Sequence, residues 1–462
     1  MSTQRLASSV LLATFLAAWD STVVGTIGPS IAQHLGGLDW YPWMLTGFMI
    51  AATVITPLVG HLSSEYSPES LYRWSIAIFL LGSIGSASAL SMGWFIATRI
   101  LQGAGAGGIL TLGLILMGQH YQGLERIRMQ GRLSAMWGLA GLLGPTLGGM
   151  MAQWVSWRGL FVINVLIGAV AFAALGPLFS TVRPPIKGTV DWAGALWLAG
   201  GLTAGVSSLT AFQQDPRTSL GWILLGMAVG LSLGWWRAEQ HSAHPLIPLN
   251  WLKDPRITVP SLLAMTASGT LYAAVLIVPL WLHIVWQFSP LSVGLAILPV
   301  PVGWAAGSLV TASIMARMNL SSTVHMGMVG IIAGMSLNEV VGGHGQWPWI
   351  VLGGILLGIG VGVVIMATLN SVQSQIPRDE LGAATGLYNL GRNLGNTLGP
   401  GVIGGLVLLL WKHSSGTHGI QIAFSLTKAV HQVFWGVLIL WTILLIVAVI
   451  NQNPHPIDLK HR

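Results

Sequence analysis

The chain has no cysteine and very little charge. Of its 462 residues only 7% are charged, with 13 acidic against 20 basic side chains. A soluble domain carries about 25% charged residues, because its surface must face water. That shortage excludes a cytosolic globular enzyme and a disordered chain. The absence of cysteine excludes disulfides and thiolate metal ligands. The basic residues are scattered singly, the tightest cluster being Arg126-x-Arg128, so no stripe exists to track a nucleic-acid backbone. No Ser–His–Asp set, paired carboxylates or phosphate loop appears. Gly103-x-Gly105-x-Gly107 lies inside an apolar run, not after a strand, so it is no dinucleotide loop. His241 and His244 lack a third ligand, so no metal site is expected.

What is present in abundance is apolar side chain, 53% of the chain. A helix crossing a bilayer needs roughly 20 mostly apolar residues. Fourteen stretches meet that need. The first six cover about 8–28, 42–64, 72–92, 94–118, 132–153 and 158–180. Two more cover about 191–213 and 219–236. The last six cover about 258–285, 290–316, 322–341, 347–370, 384–411 and 430–451. The first run is too long for a cleaved signal and carries Asp20. The pattern predicts an all-α integral membrane protein of fourteen spans.

With the N-terminus placed in the cytoplasm, fourteen basic residues fall in inner loops and four in outer ones, namely Arg158, Arg217, Lys412 and Lys428. Basic loops resist translocation, so this contrast favours a cell (inner or plasma) membrane protein with both termini cytoplasmic. Trp154, Trp157, Trp235, Trp236, Trp347 and Trp349 stand at span ends, where indoles favour the headgroup layer.

The chain also repeats itself. Gly103-Ala-Gly105-Ala-Gly107 recurs as Gly358-Ile-Gly360-Val-Gly362, and Gly144-Pro145 recurs as Gly399-Pro400, each 255 residues later. Gly131 and Gly386, and Gly149 and Gly404, match at the same offset. The repeat implies two six-helix bundles, 1–181 and 258–462, with residues 182–257 supplying two inserted helices and a linker. Parallel halves around a central site are a transporter architecture.

Several motifs resemble a known family. Leu16 to Leu35 (LAAWDSTVVGTIGPSIAQHL) is similar to the first-helix signature of the 14-helix drug:proton antiporter branch of the major facilitator superfamily. Arg99-Ile-Leu-Gln102-Gly103-Ala-Gly105 resembles the superfamily's fourth-helix motif. Gly138-Leu-Ala-Gly141-Leu-Leu-Gly144-Pro145-Thr-Leu-Gly148-Gly149 resembles its fifth-helix antiporter motif. Ser156-Trp157-Arg158-Gly-Leu-Phe161-Val-Ile-Asn164 is similar to the stretch that this branch carries directly after that motif. The resemblance implies the major facilitator fold and multidrug efflux. One departure stands out. In Gly60-His61-Leu62-Ser63-Ser64-Glu65, the glycine and leucine remain, but Ser64 replaces an expected Asp and Glu65 an expected Arg. The usual charge lock after helix 2 cannot form in its usual way.

The residues themselves point to a proton site. Asp20 lies ~18 Å from the inner edge of a ~30 Å core, and Arg99 ~9 Å from the outer edge, so they can meet. A bare charge there costs several kcal/mol, which motivates a role in proton coupling; the alternative is a static pair fixing helices 1 and 4. Trp19, Thr22, Gln102, Trp137 and Trp304 are candidates for lining a cavity. Arg392 either lines that cavity or caps helix carbonyls. Gly60, Gly103, Gly138, Gly141, Gly144, Pro145, Gly148, Gly399 and Pro400 are candidates for close helix packing or gating. The expected protein is no enzyme. It exchanges protons for lipophilic, monocationic or neutral compounds that compete for one cavity, and needs no cofactor beyond the proton gradient. Its partners are the bilayer, a small lipophilic substrate and protons, not nucleic acid, and it is expected to be a monomer. The alternatives are a carrier for one small metabolite, proton-linked or facilitative, and a non-transporting sensor or scaffold.

Overall fold

A computed structural model describes residues 3–36, 41–154, 156–175, 191–214, 218–242, 251–286, 295–340, 347–377, 380–414 and 419–450. Among them are fourteen helices of at least 17 residues. In chain order they are α1 (Thr3–Leu35), α2 (Tyr41–Glu65), α3 (Pro68–Ala87), α4 (Met92–His120), α5 (Gly123–Trp154), α6 (Trp157–Ala174), α7 (Trp192–Gln214) and α8 (Ser219–His241). Then come α9 (Pro255–Trp286), α10 (Pro299–Met315), α11 (Leu320–Val340), α12 (Trp347–Gln375), α13 (Leu381–Ser414) and α14 (Gly419–Ile450).

Local chemistry sets the helix starts. Ser67, Ser91 and Ser156 cap α3, α4 and α6 through side-chain oxygens that accept backbone N–H groups. Asp191 caps α7 by accepting from Gly194 N at 2.7 Å, the role its position suggests. Several helix ends differ from the expected spans: α1 runs on to Leu35 past the expected 28, α5 begins at Gly123 before the expected 132, and α14 begins at Gly419 before the expected 430. The third span was expected to reach residue 92, but α3 ends at Ala87 and α4 begins at Met92. The intervening Ser88-Ala89-Leu90-Ser91 is apolar enough to read as span, yet its serines turn and cap the chain. The sixth was expected to reach 180, but α6 ends at Ala174 with Leu175 as its cap.

Among the described residues, ten of these helices are long and apolar enough to cross a membrane by length and composition. The four that are not are α3, α5, α7 and α13. Two of them, α5 and α13, face the other half of the molecule instead of lipid alone, so they tolerate polar residues.

The packing repeats. Helix α1 packs on α5, α4 and α6, and α9 packs on α13, α12 and α14. Helix α4 lies between α2 and α3, as α12 lies between α10 and α11. The halves meet through α5 on α10 and α13 on α2. Helices α7 and α8 pack on each other, and α7 touches α2 and α13.

Glycines at the 255-residue offset make equivalent approaches. A Cβ on Gly103 would overlap the Phe48 carbonyl oxygen of α2, and one on Gly358 would overlap the Val300 carbonyl oxygen of α10. Only glycine allows backbones this close. Gly60 abuts Gly386 across the α2–α13 contact. Gly138 and Gly141 face Ala305 and Pro301 of α10, whereas Gly144 and Gly148 face Thr22 and Val23 of α1. The fifth-helix motif therefore serves two partners, one in each half. Gly399 meets Gly269 of α9. Helix α13 runs through Pro400 without interruption, and α5 runs through position 145, although the Pro145 side chain lies outside the described residues.

Trp157 is buried inside the bundle instead of facing outward. It is 2% exposed and packs edge-on against Phe95 and Phe161. Being the first residue of α6, it turns into the bundle, while Arg158 crosses its ring and donates to the Ala89 carbonyl at 2.8 Å.

Candidate functional site

Two constellations stand out, a buried polar cluster and a central cavity. The cluster is built on Asp20, which is 2% exposed on α1. Arg99 of α4 pairs with its Oδ2 through Nη1. Gln102, one turn further on α4, donates to Oδ1 at 2.9 Å, and Asn164 of α6 donates to the same oxygen at 2.6 Å. Gln102 also donates to Ser83 of α3 at 2.9 Å and accepts from Arg99 at 2.6 Å. Arg99 reaches the Met44 carbonyl of α2 at 3.5 Å and stacks on the Phe48 ring, 4.3 Å from its centroid. One carboxylate thus gathers side chains from α1, α4 and α6, and through them α2 and α3. Both carboxylate oxygens already face donors. Oδ1 accepts two donors, so a proton added there must displace one, whereas Oδ2 accepts from Arg99 alone and a proton there cancels the charge that Arg99 pairs with.

The cavity lies between the halves and has a volume of about 680 Å³. Thr22, Trp137, Trp304 and Arg392 line it, as expected. Trp137 and Trp304 face each other from α5 and α10, with ring centroids 5.9 Å apart. Two expected lining residues are elsewhere. Trp19 is 3% exposed and packs near Phe15 in the first half. It stands about 200° round the helix from Ser21, which does line the cavity. Gln102 is fully buried in the Asp20 cluster, on the far side of α4 from cavity-lining Thr111.

Asp20 and Arg99 do not line the cavity either. The expected proton pair and the cavity are therefore separate places. The reason is the helix turn: Ser21 and Thr22 face the cavity, and Asp20 faces inward toward α4 and α6. Phe48 joins the two places, since it lines the cavity and carries the Arg99 guanidinium on its ring.

A third group closes one end of the molecule. Arg126 of α5 donates to Asn370 Oδ1 of α12 at 2.7 Å and to the Gln373 carbonyl at 3.4 Å. Gln130 donates to Gln373 Oε1 at 2.6 Å, and Gln373 donates to Thr385 of α13 at 3.2 Å. Beside them Gly60 meets Gly386, and Ser63 meets Gly382. All of these lie at the end expected to be cytoplasmic. The two halves are thus fastened there without the usual charge lock. Above this floor Asn393 donates to Thr56 across the halves at 3.2 Å.

Asn164, Ser83 and Phe48 were not singled out by sequence. Asn164 carried a usable signal, an amide inside an apolar span, which is costly unless it bonds. Ser83 and Phe48 carried none.

The family model of the Major Facilitator Superfamily matches residues 10–400 and 261–458. An efflux pump of Gibberella moniliformis, FUS6, is 28% identical over 412 residues, covering 85% of this chain and 72% of the relative. The multidrug transporter protein MdtP of Bacillus subtilis is 25% identical over 407 residues, covering 87% and 75%. The human organic anion transporter MFSD10 has a similar structure, with a TM-score of 0.66 at 17% identity over 96% of this chain and 100% of that one. The proton:xylose symporter XylE aligns with a TM-score of 0.64 at 12% identity over 95% and 94%, and at these identities both likenesses speak for the fold alone. With the repeated six-helix packing, the central cavity and a family match over nearly its whole length, the chain belongs to the major facilitator superfamily, a family of multi-pass membrane transporters.

Proposed function

We propose that the protein is a proton-coupled antiporter that exports lipophilic compounds by alternating access. The observation that carries this reading is Asp20, a carboxylate held in the first half beside a central cavity by Arg99, Gln102 and Asn164. The relatives named as efflux pumps and multidrug transporters support export. In this reading a proton reaching Asp20 releases Arg99 or Asn164. The freed guanidinium shifts on Phe48, and the cavity wall moves with it. Coupling then runs through helix positions, and proton and cargo never share one space. The two halves, 1–181 and 258–462, rock about their shared contacts, and α7 and α8 form the inserted pair. The proton gradient is the energy source and no cofactor takes part. The protein acts as a monomer in the cell membrane, with both termini cytoplasmic.

In this reading the cavity's charge favours neutral or anionic over monocationic cargo. Arg392 is the charged residue among the described lining, and no carboxylate joins it there. A guanidinium in a low-dielectric wall repels cations.

The test uses proteoliposomes with an acidic lumen and a trapped pH dye. A transported naphthalene compound added outside should speed proton release from the lumen. The isosteric Asp20→Asn variant should bind the compound and lose that release by more than about tenfold, since the group that accepts the proton is gone. Full release by Asp20→Asn would sink the proton site. Substrate flux that ignores the gradient would mark a facilitative carrier, and no flux at all a sensor or scaffold.

A further inference from the structure

Arg392 is the least explained charge in the molecule. It lines the cavity on α13, its Nε is buried without a hydrogen-bond partner, and no acidic residue pairs with it among the described residues. Two neighbours on the same helix face, Asn389 and Asn396, share this condition. Residues 389, 392, 393 and 396 follow the i, i+3, i+4, i+7 spacing of one face. Asn389 is 2% exposed, and both of its amide atoms are buried without partners. The Asn396 Oδ1 is in the same state. Buried polar groups are ordinarily satisfied, and leaving a charged one bare is among the costlier things a protein can do. Facing this row across the cavity are apolar and aromatic walls, with Trp137 and Trp304 as a facing pair.

We infer that the cavity is a receptor for amphipathic organic anions. A carboxylate or sulfonate head bonds to the Arg392 guanidinium and the Asn389 amide N–H, and an aromatic body lies against Trp137 and Trp304. This inference rests on the cavity being the cargo site of the proposed transporter, and it names the cargo's charge. The planar guanidinium offers two parallel donors to such a head, and the absence of water-exposed competitors strengthens them. An amide supplies a donor at fixed geometry beside the charge. The charge and the amides occupy one helix while the rest of the wall is mostly apolar with scattered hydroxyls, so the site selects a molecule with charge at one end and a lipophilic remainder. The arriving anion also supplies the countercharge that Arg392 lacks among the described residues. Exchange of an exported anion for an imported proton moves positive charge inward overall, so an inside-negative potential assists it.

The experiment compares three probes that share one ring system, 2-naphthalenesulfonate, 2-naphthalenesulfonamide and 2-naphthylmethyl-trimethylammonium, by equilibrium binding to the purified full chain. The sulfonate should bind at least about tenfold more tightly than the ammonium, and more tightly than the neutral sulfonamide. In Arg392→Gln the ratio of sulfonate to sulfonamide affinity should fall to near one, and in Arg392→Lys it should be partly kept. Equal or tighter binding of the ammonium by the unmodified protein overturns the inference without any variant. So does an Arg392→Gln protein that keeps the full sulfonate preference. Binding is read without a gradient. A failure of proton coupling in the proteoliposome assay would therefore leave this result standing, and an ammonium preference would leave coupling standing.

Discussion

At the scale of single residues, Phe48 is the point where the two constellations touch. Its ring lines the cavity and lies 4.3 Å from the Arg99 guanidinium carbon, and Arg99 in turn holds Asp20. Asp20 itself faces away from the cavity, so a message between proton and cargo crosses this ring, or runs along α1 from Asp20 to Thr22 or along α4 from Gln102 to Thr111. A cation on a ring face is worth about 0.5–2 kcal/mol depending on how dry the site is. Replacing the ring with an aliphatic chain of similar bulk removes that attraction and leaves a wall. In Phe48→Leu, protons released per molecule of cargo bound should therefore fall several-fold, measured as the ratio of dye response to bound probe. An unchanged ratio would show that the message travels along the helices α1 or α4 instead.

At the scale of helices, the closed end is held by α5 on α12 and by α2 on α13. Arg126 and Gln130 bond to Asn370 and Gln373, with Arg126 8% exposed and Gln130 fully buried. A hydrogen bond to a charged group contributes about 1.5–3 kcal/mol, so losing these bonds should open that end by roughly tenfold or more in population. The native absence of cysteine makes the measurement direct. Ser134 is 5% exposed on α5, its hydroxyl near the Met366 sulfur. In a Ser134→Cys background, Arg126→Ala with Gln373→Ala should label with a membrane-impermeant maleimide about tenfold faster than the parent, and equal rates would show that the glycine contacts alone hold the end shut. The same helices show what was legible in the sequence. The long spans could be counted because each lipid-crossing helix needs its own apolar run. The repeat could be seen because close backbone contact admits only glycine, as at Gly103 and Gly358. The end of α3 could not, since Ala89 and Leu90 between its capping serines are as apolar as the helix beside them. Asp20 and Arg99 were brought together by depth alone. Which way each pointed was hidden, because a turn of 100° decides between cavity and core. For the same reason Trp19 and Gln102 were placed on the wrong surface, and the bonds of Asn164 and Ser83 depend on partners far away in sequence.

At the scale of the whole molecule, transport by rocking requires that the contacts between α2 and α13 at the closed end separate in every cycle. Ser63 and Gly382 offer a way to prevent that. A Cβ on Gly382 would lie 3.3 Å from the Ser63 Cβ, close to the spacing of about 3.5–4.5 Å that a disulfide uses. Its other close neighbour is the Gly60 backbone carbonyl oxygen at 2.9 Å, an overlap that only a shift of the two helix backbones relieves. No native cysteine competes for oxidation. The double variant Ser63→Cys with Gly382→Cys should therefore form an internal bridge when oxidised. If the halves must part there, oxidation should reduce cargo-driven proton release by more than about tenfold, since a covalent link blocks the opposite state whatever the gradient. Reduction should restore it, which separates a locked protein from a misfolded one. Equilibrium binding of the naphthalene probes should persist in the locked form, because the cavity between Trp137, Trp304 and Arg392 lies away from the bridge. Undiminished proton release by the oxidised protein would mean that these two helices stay together throughout the cycle, and that the access change occurs within a half instead of between the two.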